Sequence, residues 1–119
     1  MSSIQWYNER SSERLRREIG WVIANRLRDP RIPSLVTVTG VKLAPDTRNA
    51  TVFVSVFGDE RVKGLAVEAL NSAAPYIQKL VARRVSLKHF PKFFFKLDAS
   101  LDYGDRIDEL LDQIKDDLE

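Results

Sequence analysis

Leu70-Asn71-Ser72-Ala73-Ala74-Pro75-Tyr76-Ile77 is a helix broken in its middle, and the break decides how the rest of the chain is read. Before it, Val62, Leu65, Ala66, Ala69 and Ala73 recur at helical spacing; after it, Ile77, Leu80, Val81 and Arg84 do the same. Pro75 has no N–H to donate, and its ring crowds the carbonyl of Asn71. A continuous helix through it would cost about 3 kcal/mol. Two helices meeting at a corner avoid that cost, with Pro75 as the first residue of the second. Ser72, Ala73 and Ala74 are small enough to let the two approach closely. A strand, Phe93 to Leu97, then puts Phe93, Phe95 and Leu97 on one face and Phe94 with Lys96 on the other.

Upstream of the broken helix, Leu15, Ile19, Val22, Ile23, Arg26 and Leu27 form one stripe, which predicts a first helix from Asn8 to Arg28 with that face toward the core. Asp29-Pro30-Arg31-Ile32-Pro33 ends it, because the residue before each proline is pushed out of helical geometry. Leu35 to Thr39 alternates as a strand and resumes at Val41 after Gly40, a phase shift that predicts a bulge. Ala44 to Asn49 has turn chemistry. Ala50, Val52, Val54 and Val56 then face one side of a second strand, with Thr51, Phe53, Ser55 and Phe57 on the other, which makes an antiparallel hairpin. Ile107, Leu110, Leu111, Ile114 and Leu118 stripe a last helix over 103–118, its other face acidic. The whole, 1–119, reads as one domain: an extension over 1–7, a core over 8–98, and an acidic C-terminal helix within 99–119.

The net charge of +2 conceals a strong asymmetry. Residues 1–31 hold seven arginines against four acids, and residues 61–98 eight bases against two acids. Residues 99–119 reverse this, with eight acids against two bases. A basic body points to a polyanionic partner, although solvated faces without a partner give the same pattern. Arg10, Arg14, Arg17, Trp21 and Arg28 cluster opposite the apolar stripe of the first helix, as a phosphate-tracking, base-stacking surface requires. The same residues allow a second reading, with Glu13–Arg17 and Arg14–Glu18 as ordinary helix pairs and Trp21 covering a neighbouring element. Phe53 and Phe94 either present rings to bases or fill hydrophobic contacts.

Several chemistries have no residues to support them. The chain has no cysteine and one histidine, His89, so thiol catalysis, disulfides and histidine-based triads are excluded. No glycine-rich phosphate loop occurs. The carboxylates Asp105, Asp108, Glu109 and Asp112 share a helix face that reads as solvated surface. No cofactor or metal is expected, and no enzyme. The N-terminus lacks the layout of a signal peptide and no apolar run reaches the roughly 18 residues of a membrane span, so a cytoplasmic chain with no membrane partner is expected.

The order helix, hairpin, broken helix, strand resembles the type II KH fold: an α+β domain with a three-stranded mixed sheet. Longer segments narrow the likeness. Arg16-Arg17-Glu18-Ile19, Asp29 to Thr39, Ala44 to Ala50, Val52 to Val56, Leu70 to Ala74 and Ser100 to Leu111 all resemble the ribosome-binding factor A family. That family implies an Ala-x-Gly kink, matched here by Ala73, Ala74 and Pro75, so proline stands where the pattern has glycine. It also implies binding to the free 30S subunit near 16S rRNA during late assembly, help with 5′-end processing, importance in cold growth, and release by an assembly GTPase. The expected phosphate contacts are Arg10, Arg14, Arg17 and Arg28 with Trp21, then Lys79, Arg83, Arg84 and Lys88, with Arg31 and Arg48 at family turn positions. A monomer is expected. The alternatives are a KH-like module for another RNA and a protein–protein adaptor using the last helix.

Overall fold

The computed structural model describes residues 2–98 except 34, 47 and 88, and the side chains from residue 10 onward. The helix expected over 103–118 lies outside the described residues. Six elements follow in order: α1 (Ser2–Arg26), β1 (Val36–Leu43), β2 (Asn49–Val56), α2 (Glu60–Ser72), α3 (Ala74–Ala82) and β3 (Lys92–Leu97). Helix α1 begins at Ser2, six residues before the expected Asn8, and it ends at Arg26, two short of Arg28. No proline stands in its path, and its one glycine, Gly20, lies well inside it. At the other end, the Asp29 carboxylate accepts from the Arg31 N–H at 2.9 Å, and its carbonyl accepts from Ile32 N–H, so a turn replaces the helix.

The strands form one sheet in the order β1-β2-β3, antiparallel between β1 and β2 and parallel between β2 and β3. The parallel pair needs a long crossover, which α2 and α3 supply. The bulge falls where the apolar phase shifts: Val38 pairs with Val54 and Gly40 with Phe53, which leaves Thr39 as the extra residue. In the β1–β2 turn, Asp46 accepts from the Arg48 N–H at 3.0 Å, and Ala44 N–H donates to Asn49 carbonyl.

The corner sits where Pro75 demands it, but one residue earlier than expected. Helix α3 starts at Ala74, so Pro75 is its second residue rather than its first. The first N–H groups of a helix have no intrahelical partner, so proline loses nothing there either. Ala73 carries the bend, with its N–H still donating to Ala69 and its carbonyl accepting from Ile77. At the other end of α2, the Asp59 side chain caps Val62 N–H at 2.9 Å. Gly58 precedes it at φ +146, where an added Cβ would lie 2.8 Å from Val62 Cβ. Only glycine fits that approach.

All three helices pack on one side of the sheet. Leu15, Ile19, Val22 and Ile23 of α1 meet Val38, Val52, Val54, Leu70, Ile77, Val81, Phe93 and Phe95 in one buried cluster. Three members of the expected stripes, Leu65, Arg26 and Arg84, are exposed instead of joining it. Leu65 is 38% exposed, its place taken by Leu70. A charged group is almost never buried unpaired, and a cation in the last turn is favoured by the helix dipole.

Strand β3 is an edge, and one side chain closes part of it. Lys92 N–H donates to the Arg48 carbonyl just before β2 and Asp98 N–H to Val54 within it, so the N–H groups of Phe93, Phe95 and Leu97 face outward. Asn71 meets Phe95 there: its Oδ1 accepts from Phe95 N–H at 2.8 Å and its Nδ2 donates to Phe95 carbonyl at 3.1 Å. This imitates one rung of a neighbouring strand and blunts the edge. Asn71→Ala is expected to cost about 1 kcal/mol or more. The measurement is the urea midpoint, which should fall with an unchanged m-value; an unmoved midpoint would show that this rung is dispensable.

Candidate nucleic-acid interface

The outward stripe of α1 is cationic, with Arg10, Arg14 and Arg17 exposed, and Arg28, expected on the same stripe, is exposed just past the helix end. Its ion pairing differs from the helix pairs the spacing offered. Glu13 pairs with Arg16, three residues on, instead of Arg17. Glu18 pairs with Arg84, not Arg14, at 2.5 Å across 66 residues of sequence. Among the described residues no hydrogen bond or ion pair engages Arg14, and Arg17 acts on Glu13 only through space, helping Arg16 to hold the Glu13 carboxyl below its ordinary value. The Arg16 hydrogen bond is the main cause of that lowering.

Trp21 joins α1 to the segment after α3. The Arg84 guanidinium stacks over its ring 3.9 Å from the centroid, and Arg26 approaches the same ring at 5.3 Å. The indole is 37% exposed. It forms a cation–π bracket between elements, the arrangement of the covering reading, while part of the ring stays exposed. Sequence reasoning assigned Arg26 to the core; its charge was the signal that it would turn outward. Arg83, adjacent to Arg84 and also exposed, has no ion pair among the described residues. Lys79 is likewise exposed and unpaired on α3 among the described residues. α1 and α3 pack directly against each other, which brings this part of the cation set together.

The remaining expected contacts stand elsewhere. Arg28 borders a concavity of about 290 Å³ between the end of α1 and the following turn, lined by Ile23, Leu27, Ile32 and Val36 among others. Arg31 is held by its own turn, with Nη2 at 2.9 Å and Nε at 3.2 Å from the Asp29 carboxylate. That hydrogen bonding keeps the Asp29 carboxyl below its usual range. Arg48 lies in the β1–β2 turn, where its carbonyl accepts from Lys92 N–H at 2.9 Å, away from the helical set. Lys88 lies outside the described residues. Among the described residues no cluster of histidines and carboxylates could hold a metal, and no helix is long and apolar enough to cross a membrane.

A two-layer α+β domain with a kinked helix pair returning to a parallel strand is a KH-like domain. A family model for ribosome-binding factor A matches residues 7–111. The ribosome-binding factor A of Caldanaerobacter subterraneus subsp. tengcongensis is 38% identical over 114 residues, 96% of this chain and 93% of that protein. The crystal structure of ribosome-binding factor A from Thermus thermophilus superposes with a TM-score of 0.66 at 31% identity, covering 76% of this chain and 94% of that one. Coordinates of the Thermus thermophilus factor fitted into a cryo-EM map of its 30S complex match at TM-score 0.59 and 30% identity, covering 71% and 88%. The chain belongs to the ribosome-binding factor A family.

Proposed function

We propose that this protein binds the free 30S ribosomal subunit as a non-catalytic assembly factor, gripping 16S rRNA through the cations of α1 and α3. The observation that carries this is the set of guanidinium and ammonium groups unpaired among the described residues, Arg14, Arg17, Lys79 and Arg83, on two helices packed against each other and the turn that follows them. Rigid helices hold such charges where a folded phosphate backbone can meet several at once, and released counterions supply much of the affinity. Binding energy of this kind favours one arrangement of the RNA over another; no covalent step is needed. The 30S complex of the Thermus relative supports the choice of subunit. Late assembly, 5′-end maturation of 16S rRNA, importance in cold growth, release by an assembly GTPase and action as a cytoplasmic monomer follow from family membership as parts of the same proposal.

Sedimentation of the full chain with purified small subunits, large subunits and intact ribosomes in parallel tests it. The expected result is co-sedimentation with small subunits at low ionic strength and little with the other two. Absence from the small-subunit pellet, or equal recovery in all three, would overturn the proposal.

A further inference from the structure

The sheet has two faces, and among the described residues the helices cover only one. The other presents Thr37, Thr39 and Lys42 from β1, Thr51, Phe53 and Ser55 from β2, and Lys92, Phe94 and Lys96 from β3. None of these residues is buried, and Phe94 is 53% exposed. Phe94 stands beside Thr51 and Phe53 beside Lys96, so the two rings are diagonal neighbours on adjacent strands. Diagonal side chains on a sheet lie roughly 7–8 Å apart. On its other side Phe53 pairs with Gly40, where even an added Cβ would meet nothing within 4 Å, so that flank of the ring is open.

The composition of the face selects its occupant. A helix seats on contiguous aliphatic surface, and within the strands this face sets two rings among hydroxyls and lysines; the exposed Leu35 and Phe57 extend it at one end, and the Asp98 carboxylate, accepting from Thr39 Oγ1 at 2.6 Å, stands at its margin. Single-stranded RNA needs the opposite: flat rings for bases, ammonium groups for phosphates, and hydroxyls for ribose and base edges. Lys42, Lys92 and Lys96 have no ion pair among the described residues, so their charge faces solvent. We propose that this uncovered sheet face is a second nucleic-acid site, a platform on which two nucleotides of single-stranded RNA stack on Phe53 and Phe94 while the three lysines hold the flanking phosphates. It lies across the sheet from α1 and α3 and stands independently of the small-subunit reading.

The test uses the full chain and fluorescein-labelled decamers of adenylate and uridylate, titrated by anisotropy at low salt beside a labelled RNA duplex. F53L/F94L keeps apolar bulk and removes both rings. It is expected to weaken decamer binding by about tenfold per ring lost and to leave duplex binding unchanged. F94W, which keeps a ring, should bind the decamers at least as well as the parent. Circular dichroism melting of both variants controls for folding. Three results would overturn the platform: no decamer binding by the parent, unchanged decamer affinity in F53L/F94L, or decamer affinity that rises in that variant. The last would identify the acidic residues 99–119 as the occupant in place of RNA. Small-subunit sedimentation can succeed or fail under any of these outcomes, so the two proposals are judged separately.

Discussion

Ile77→Ala is expected to be the most destabilising single change in α3. Ile77 has no exposed surface and sits in the cluster where α1, α3 and the sheet meet, with Leu15, Ile19, Leu70 and Phe93 among its members. Removing its outer carbons loses their transfer free energy and leaves a cavity that three packed elements cannot easily close. Such truncations cost about 2–5 kcal/mol. A domain of 119 residues has a total stability on the order of 5–15 kcal/mol, so this one side chain carries a large share. Thermal unfolding should show a midpoint lower by roughly 10 °C or more, given about 4–8 °C per kcal/mol for domains slightly smaller than this. The matched control is Leu65→Ala on α2, the same loss of carbons at a position 38% exposed. Its cost should stay near the roughly 0.5 kcal/mol of ordinary surface changes, or modestly above it. If the two variants melt alike, the core does not lie where the helices and sheet place it.

That contrast also shows how far the sequence could be read. Pro75 announced the corner because its chemistry is local, and the bulge at Gly40 could be seen as a slip in alternation between two otherwise regular runs. The faces of β2 and β3 followed from period two, and Ala50, Val52, Val54, Phe93 and Phe95 are buried as that alternation requires. Leu65 was misplaced for a physical reason. A stripe at helical spacing has a width, and which edge of it turns inward depends on the element it meets. Which strand β3 would join was also out of reach, since that depends on where the crossover returns; the mixed character of the sheet came only with the family resemblance. The candidate site divides the same way. The cationic stripe of α1 is a property of one helix and was legible. The Glu18–Arg84 pair and the stacking of Arg84 on Trp21 join residues more than 60 positions apart, and no local pattern encodes them. The spacing favoured Glu13 with Arg17, whereas the rotamers in the folded chain choose Arg16.

The long-range pair changes what should be mutated. Arg83 and Arg84 look equivalent in the sequence, yet Arg84 is neutralised by Glu18 and stacked on Trp21, while Arg83 is exposed and unpaired among the described residues. A phosphate reaching Arg84 must first displace a carboxylate; one reaching Arg83 displaces only water and counterions. The variant expected to lose most affinity for small subunits or for structured RNA is therefore R14A/R17A/R83A. Each phosphate contact contributes about 0.7–0.9 units to the slope of log affinity against log salt. Loss of three should flatten the slope by about two to three units and lower affinity roughly a hundredfold near 0.1 M salt. None of the three is buried, so melting should be nearly unaffected and the loss can be assigned to binding. R84A should behave in the reverse way, lowering the melting temperature by loosening α1 from the end of α3 while leaving most of the slope in place. A filter-binding salt titration of the two variants side by side separates charge that grips RNA from charge that holds the fold. Were R14A/R17A/R83A to keep the parent slope while R84A lost it, the phosphates would be meeting the protein at the Trp21 bracket, and the outward stripe of α1 would be only a solvated surface.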